Sequence, residues 1–325
     1  MSITLKTMAV PVATAAVLAS CVAASPASAA DSDANAAAKK LGSIVYIASN
    51  NVWIARGDGG GQRQVTHDGT TGDPYWSPTE ADDGTIAAAR GSLIVRMSHT
   101  GQVLNTIDPP ALKNSAGESM DGPPSEVAIS PDGKTIAWSY VRPSCPPGAE
   151  CTYRYATGYT SSTKLTTAGV STFFHDPSWI GNGRTLLTGG FGVQVELQDI
   201  NAAARHWFDD SDYAFPDTDL ADGELSPNGK WLAEVRGYDK TATIIWYSVN
   251  GDAGRGAPPA VPDPACVTGQ EAGKNSPTWS PDSTALAWGT PSGIWIKFNV
   301  GNCSSPNAVL AIKGGASPDW SKAAL

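Results

Sequence analysis

His175 and Asp176 are adjacent in the chain, and an imidazole beside a carboxylate is the smallest set that can act as a general base with its orienting group. Neighbours along an extended strand usually point to opposite faces, which predicts that these two side chains part. A second chemistry is cation binding. Asp73, Glu126, Asp176 and Asp222 each stand three residues before a recurring tryptophan-like position, as do Ser276 and Ser317. Carboxylates ringing one opening can hold a cation or a partner's lysine or arginine, and hard oxygen donors favour calcium. Asp and Ser before Pro are also ordinary turn formers, which is the plain structural reading of the same residues. A further acidic run, Asp209, Asp210, Asp212, Asp217 and Asp219, offers oxygen donors to calcium but lacks the fixed spacing of an EF-hand loop. The four histidines, His67, His99, His175 and His206, are scattered without a metal-ligand spacing.

What must position these residues is a repeat. A phrase built on Trp-Ser-Pro recurs around Trp76, Ile129, Trp179, Leu225, Trp279 and Trp320, close to the roughly 40–50-residue period of a four-stranded propeller blade. Short apolar runs follow each copy, as in Thr135-Ile136-Ala137-Trp138-Ser139 and Ile294-Trp295-Ile296, and no segment beyond the first thirty residues has convincing helical periodicity. Residues 44–49, 51–56 and 61–67 read as strands b, c and d without a strand a, whereas 318–321 reads as a strand a with nothing after it. The prediction is an all-β chain forming a single six-bladed β-propeller of four-stranded antiparallel blades, with the N- and C-termini completing one shared blade. That closure removes exposed sheet edges. The eleven tryptophans are expected in the core, since each blade is apolar on both faces and must stack on its neighbours. A carbohydrate platform would need several of them exposed. The b–c and d–a loops share one face of such a ring. That face should gather a hairpin at Cys145–Cys151 with Arg142 and Tyr153 as candidate binding residues, the loop 108–126 and the acidic run 209–219.

Residues 1–30 read as a signal peptide, with Lys6, an apolar run from Met8 to Ala19 and a small-residue cleavage signal at Pro26-Ala27-Ser28-Ala29-Ala30. Residues 31–40 read as a flexible N-terminal segment and 41–325 as the propeller. Leu18-Ala19-Ser20-Cys21 fits a lipobox as well, which would leave a lipid anchor at Cys21, so secretion and surface anchoring both stand. No other stretch reaches the ~18 apolar residues of a membrane span. The remaining cysteines, Cys145, Cys151, Cys266 and Cys303, suit two disulfides in an oxidising compartment. Pairing Cys145 with Cys151 across Pro146-Pro147-Gly148, and Cys266 with Cys303, is favoured among three possible connectivities. A formal net charge of −9 gives no electrostatic footprint for nucleic acid and suits a cationic partner.

The stretch Asn51-Val52-Trp53-Ile54-Ala55-Arg56-Gly57-Asp58-Gly59-Gly60-Gly61-Gln62-Arg63-Gln64-Val65-Thr66, followed by Asp73-Pro74-Tyr75-Trp76-Ser77-Pro78, resembles the repeat of the TolB-like, WD40-like six-bladed β-propellers of bacterial envelopes. The resemblance spans about residues 41–325. It implies that Arg56-Gly57-Asp58 is a c–d turn rather than an adhesion tripeptide. It also implies an exported scaffold that binds a protein or peptide, with no cofactor unless the acidic residues take calcium. The alternative it leaves is a channel-mouth enzyme, a hydrolase or lyase acting on a small molecule or sugar. The chain departs from TolB in having no room for an additional N-terminal domain. It departs from propeller peptidases in having no Gly-x-Ser-x-Gly nucleophile turn.

Overall fold

In the computed structural model, the described residues are 41–325 except 146, 149, 150, 165, 166, 190–193 and 214–218. The expected leader, the lipobox cysteine and Asp217 therefore lie outside the described residues. Six four-stranded antiparallel sheets form the ring. Blade 1 combines strand a at Ala316–Ser321 with strands b to d at Ser43–Ala48, Asn51–Arg56 and Arg63–Gln64, so the two ends of the chain share one sheet. Blade 2 runs Tyr75–Glu80, Ile86–Arg90, Leu93–Met97 and Val103–Ile107, and blade 3 runs Glu126–Ile129, Thr135–Ser144, Thr152–Ser161 and Thr167–Ser171. Blade 4 is Phe174–Ile180, Arg184–Gly189, Gln194–Asp199 and Arg205–Phe208. Blade 5 is Leu220–Leu225, Trp231–Arg236, Thr243–Ser248 and Asp263–Val267, and blade 6 is Asn275–Trp279, Ala285–Thr290, Gly293–Phe298 and Val309–Lys313.

The repeated phrase has a mechanical explanation. After strand a, the Ser hydroxyl and the Asp or Asn two residues later hydrogen-bond to each other and to backbone N–H groups, closing a tight turn into strand b. Ser130 Oγ meets Asp132 Oδ1 at 2.8 Å, Ser226 meets Asn228 at 2.8 Å and Ser280 meets Asp282 at 2.8 Å. The tryptophan before the turn reaches across to the preceding blade: Trp179 Nε1 donates to the Ala128 carbonyl at 3.0 Å and Trp279 Nε1 to that of Glu224 at 2.9 Å. One large side chain thus fills an inter-blade gap while satisfying its own donor.

Among the described residues there is no central hydrophobic core. The buried apolar residues fall into six clusters, each made by two adjacent blades. Five of these seams hold nine or more buried apolar residues, but the seam between blades 3 and 4 has only Ala128, Ala137 and Tyr159, with Trp179 and Ile200 partly buried against them. Hydroxyls take over there. Ser139 and Thr157 meet at 2.7 Å, as do Tyr159 and Thr185, and Thr157 donates to the Phe174 carbonyl at 2.8 Å.

Blade 2 corrects the sequence register. Its turn is Ala81-Asp82-Asp83-Gly84, where Gly84 N donates to the Ala81 carbonyl as Gly133 N does to Ser130. The residue at the tryptophan-like position is therefore Glu80, and Trp76-Ser77-Pro78 is the same phrase displaced by four residues along the strand. Glu80 is buried, accepts from Ser43 Oγ at 2.7 Å and Ser321 Oγ at 2.9 Å, and contacts His99. Those serines belong to the b and a strands of the shared blade, so Glu80 fastens the seam where the chain ends meet. Both expected disulfides are present, Cys145–Cys151 and Cys266–Cys303. Arg56-Gly57-Asp58 is a turn, with Gly59 N donating to the Arg56 carbonyl at 2.8 Å.

Candidate functional site

Strand a of every blade lines a central cavity of about 660 Å³. The residue three before each tryptophan-like position faces it: Ser77, Glu126, Asp176, Asp222, Ser276 and Ser317. Five of them, all but Glu126, have positive φ between 45° and 51°, and the strand pairing shifts register there. The bulge turns a side chain that would point along the sheet into the cavity. Blade 3 pairs without a bulge, and there the position is glutamate, one methylene longer.

Asp73 is not among the cavity residues. It lies in the d–a loop before blade 2 and accepts from Arg90 Nε at 2.9 Å, because the true register of that blade puts Ser77 in the ring. Asp68 binds the same guanidinium, and that partnership outweighs burial to keep its carboxyl below the usual range.

The ring residues clasp neighbouring blades together. Ser77 Oγ accepts from Val127 N at 2.8 Å, and Asp222 Oδ2 accepts from Ser276 N at 3.0 Å. One residue before the tryptophan-like position, a second tier does the same. Glu224 Oε1 accepts from Trp279 N at 2.9 Å, Thr278 Oγ1 from Trp320 N at 3.0 Å, and Asp319 Oδ2 from Glu80 N at 2.6 Å. Despite these hydrogen bonds, burial pushes Glu224 up to about 8 and Asp319 up to about 7. Desolvation penalises the charged form more than one N–H donor repays.

Where blades 3, 4 and 5 meet, three carboxylates crowd one histidine. His175 Nδ1 lies 2.8 Å from Asp176 Oδ1, with the two side chains 16% and 8% exposed. The expectation that they part is overturned, because the bulge at Asp176 rotates its side chain back to the imidazole's side. Tyr155 stacks on the imidazole with ring centroids 3.8 Å apart, and Thr188 Oγ1 donates to Asp176 Oδ2 at 3.0 Å. Burial raises Glu126 well above the ordinary glutamate value, and the charges of Asp176 and Asp222 add to it. Burial and Asp176 together push Asp222 up to about 6. Burial also works against ionised Asp176, but the charge and hydrogen bond of His175 outweigh it and hold Asp176 low. Reciprocally, Asp176 overcomes the burial penalty on His175 and raises it.

The acidic run before blade 5 is placed otherwise. Asp210 is buried against Arg236, at 3.1 Å from its Nε. Asp209 caps a short 3-10 turn by accepting from Ser211 N at 2.8 Å, Asp212 Oδ2 accepts from Asp209 N at 3.1 Å, and Asp219 is exposed. Among the described residues, only Glu126, His175 and Asp176 bring three potential metal donors together.

The b–c and d–a loops do share one face. The ten-residue strands Thr135–Ser144 and Thr152–Ser161 carry their disulfide-tied hairpin away from it. A small hairpin, Leu112–Lys113 with Ser119–Met120, packs against that pair, and Arg154 approaches Glu118 at 3.8 Å. Arg142 and Tyr153 sit on the projecting strands, both exposed. Sequence reasoning missed Phe173 and Tyr238, which are 54% and 66% exposed on the same face; their only signal was an aromatic residue in a loop.

The comparisons agree on architecture. No known family profile and no curated protein matches the sequence. Solved structures do match: a provisionally named TolB from Agrobacterium tumefaciens is 15% identical with a TM-score of 0.52, covering 85% of this chain and 91% of that one. In fold, this is a TolB-like six-bladed β-propeller. The propeller domain of Cps50 (Swd1) from Myceliophteria thermophila is 11% identical with a TM-score of 0.52, over 85% of this chain and 84% of that one. A chain of a nidogen/laminin complex is 10% identical with a TM-score of 0.53, over 85% and 97%. Among the described residues, no helix of this TolB-like propeller is long and apolar enough to cross a membrane.

Proposed function

We propose that this propeller is an exported scaffold that binds a protein or peptide on its b–c and d–a loop face. The observation that carries the reading is the placement of exposed aromatic residues. All three large aromatics exposed among the described residues, Tyr153, Phe173 and Tyr238, belong to that face, joined by Val141 on the projecting hairpin. Exposed aliphatics elsewhere lie mostly on outer d strands, as Val103 with Leu104 and Val309 with Leu310 do. Exposed aromatics gathered on one face are the composition of an interface centre. Asp212, Asp219 and Asp239 put exposed negative charge on the blade 5 side of that face, near Tyr238, which suits a partner carrying basic groups. Two disulfides fit the same extracytoplasmic setting. The neighbour that lies in a nidogen/laminin complex shows that a propeller of this shape can work inside a protein complex.

The test is crosslinking capture from envelope and culture fluid with the intact chain and a Tyr153→Ser/Phe173→Ser/Tyr238→Ser variant. A specific partner held by the intact chain and lost by the variant supports the reading. Equal capture by both sinks it. A second reading, an enzyme acting on a small molecule or sugar at the channel mouth, has the 2.8 Å His175–Asp176 pair beside the cavity in its favour. A substrate turned over by the intact chain but not by His175→Gln would support that reading instead.

A further inference from the structure

We propose that Glu126, His175 and Asp176 form a binding site for one first-row divalent metal ion, of the zinc or manganese type, at the wall of the central cavity. The argument starts from geometry. One donor atom from each residue lies within 4.8 Å of the other two, and His175 Nδ1 and Asp176 Oδ1 are 2.8 Å apart. Ligands about 2.0–2.2 Å from a shared ion stand roughly 3–4 Å from one another, so small side-chain rotations suffice. Two of the three donors are already held in place. Tyr155 fixes the plane of the imidazole, and Thr188 and the backbone bulge fix Asp176. Such outer contacts are what orient metal ligands.

A second feature is a concentration of buried carboxyl groups around this point. Asp222 follows on the next blade, and its backbone N–H approaches Asp176 Oδ2 at 3.5 Å. Behind the Asp222-Gly223 bulge lies Glu234, fully buried, with no hydrogen-bond partner for either carboxylate oxygen. Its Oε1 comes within 2.4 Å of where a side chain on residue 223 would begin, so glycine is required there for the carboxylate to lie against the channel strand. Glu126 and Asp222 thus approach the His175–Asp176 pair from the blades on either side. The seam between blades 3 and 4, which should be filled by apolar residues as its neighbours are, is instead polar at the same place. A dication accounts for both features, because it would tie Glu126 of blade 3 to His175 and Asp176 of blade 4 where buried apolar packing is thin.

The donor set also selects the ion. One imidazole with two carboxylates suits zinc or manganese, whereas calcium takes oxygen donors alone. Three protein donors leave coordination positions facing the cavity, which both Glu126 and Asp176 line. His206 offers a weaker alternative, with Glu196 at 3.3 Å, Asp209 at 4.0 Å and 45% exposure. It therefore serves as the control. This inference is independent of the partner-binding face.

The experiment is isothermal titration of zinc chloride into the untagged chain after chelator dialysis, at pH 7.5 and 5.5. The expected result is one zinc per chain at pH 7.5, released by chelator. Affinity should fall by roughly tenfold or more at pH 5.5, since the ligands must lose protons. Glu126→Gln and His175→Gln should each weaken binding by roughly tenfold to hundredfold, while His206→Gln leaves it unchanged. Circular dichroism melting checks that each variant folds, and if His175→Gln does not, Glu126→Gln decides. Cobalt supplies a second readout, a visible absorption band present in the wild type and lost in Glu126→Gln. Absence of stoichiometric binding, or binding that survives Glu126→Gln, overturns the proposal.

Discussion

Raising the pH should loosen this propeller, and Glu224 is the residue to show it. Its carboxyl is buried in the second tier of the channel, takes one backbone hydrogen bond from Trp279, and is raised from the ordinary 4.5 to about 8 by burial and by the nearby charge of Asp319. A carboxyl whose folded-state value lies above its unfolded one favours folding while it is protonated. Its contribution is complete below about pH 4.5 and is lost as the pH rises through 8. Each unit of displacement corresponds to about 1.4 kcal/mol, so Glu224 contributes on the order of 3–5 kcal/mol across that window. For a chain of this size that is roughly 10 °C in melting temperature. Asp319, raised to about 7, and Asp222, raised to about 6, act in the same direction. The assay is thermal denaturation followed by tryptophan fluorescence between pH 5 and pH 9, for the wild type and Glu224→Gln. Glutamine keeps the carbonyl that accepts from Trp279 N, so the clasp survives while the titration is removed. Self-repulsion of a chain with net charge −9 also grows with pH, but it is nearly the same in both proteins. The variant should therefore lose a large part of the pH slope. A wild-type melting temperature that does not fall between pH 5 and pH 9, or a variant with an undiminished slope, would refute the reasoning.

Glu80→Ala should cost about 2–3 kcal/mol, because it strips the hydroxyls of Ser43 and Ser321 of a buried acceptor at the closing seam. Urea denaturation with an unchanged m-value measures it, and a loss below about 0.5 kcal/mol contradicts the role given to Glu80. Replacing both Cys266 and Cys303 by serine should lose about 3–4 kcal/mol, against about 2 kcal/mol for Cys145 and Cys151, since the bridges span 37 and 6 residues. Melting of the two double variants should preserve that order. Millimolar calcium should leave the melting temperature unchanged, because Asp210 is committed to Arg236 and Asp209 and Asp212 to a turn. A rise of several degrees would restore calcium binding to that loop.

The ring was legible in the sequence because its cause is local and repeated. Each of the three Ser-Pro-Asp or Ser-Pro-Asn phrases builds its turn from residues two to five apart, as Ser130, Asp132 and Thr135 do, and the six blades can only bury their faces by stacking. The unpaired strand signals at the two ends announced the shared blade for the same reason. The displaced phrase at Trp76 misled because local pattern carries no record of which residue meets the neighbouring blade. Only Ala81-Asp82-Asp83-Gly84 closes the turn, and Glu80 takes the buried place because Ser43 and Ser321, from opposite ends of the chain, supply its hydrogen bonds. The meeting of His175 with Asp176 depended on one bulged residue, which reverses a side chain without leaving a mark in period-two alternation. Sequence by itself determined the repeat, the turns and the closure, set by short-range chemistry or by the need to cover sheet faces, and it favoured the cysteine pairing that the structure shows. Tertiary structure decided which carboxylates share a cavity, how their charges hold one another's protons, and which loops bring exposed aromatics to one face, because those depend on distances between blades that no single blade encodes.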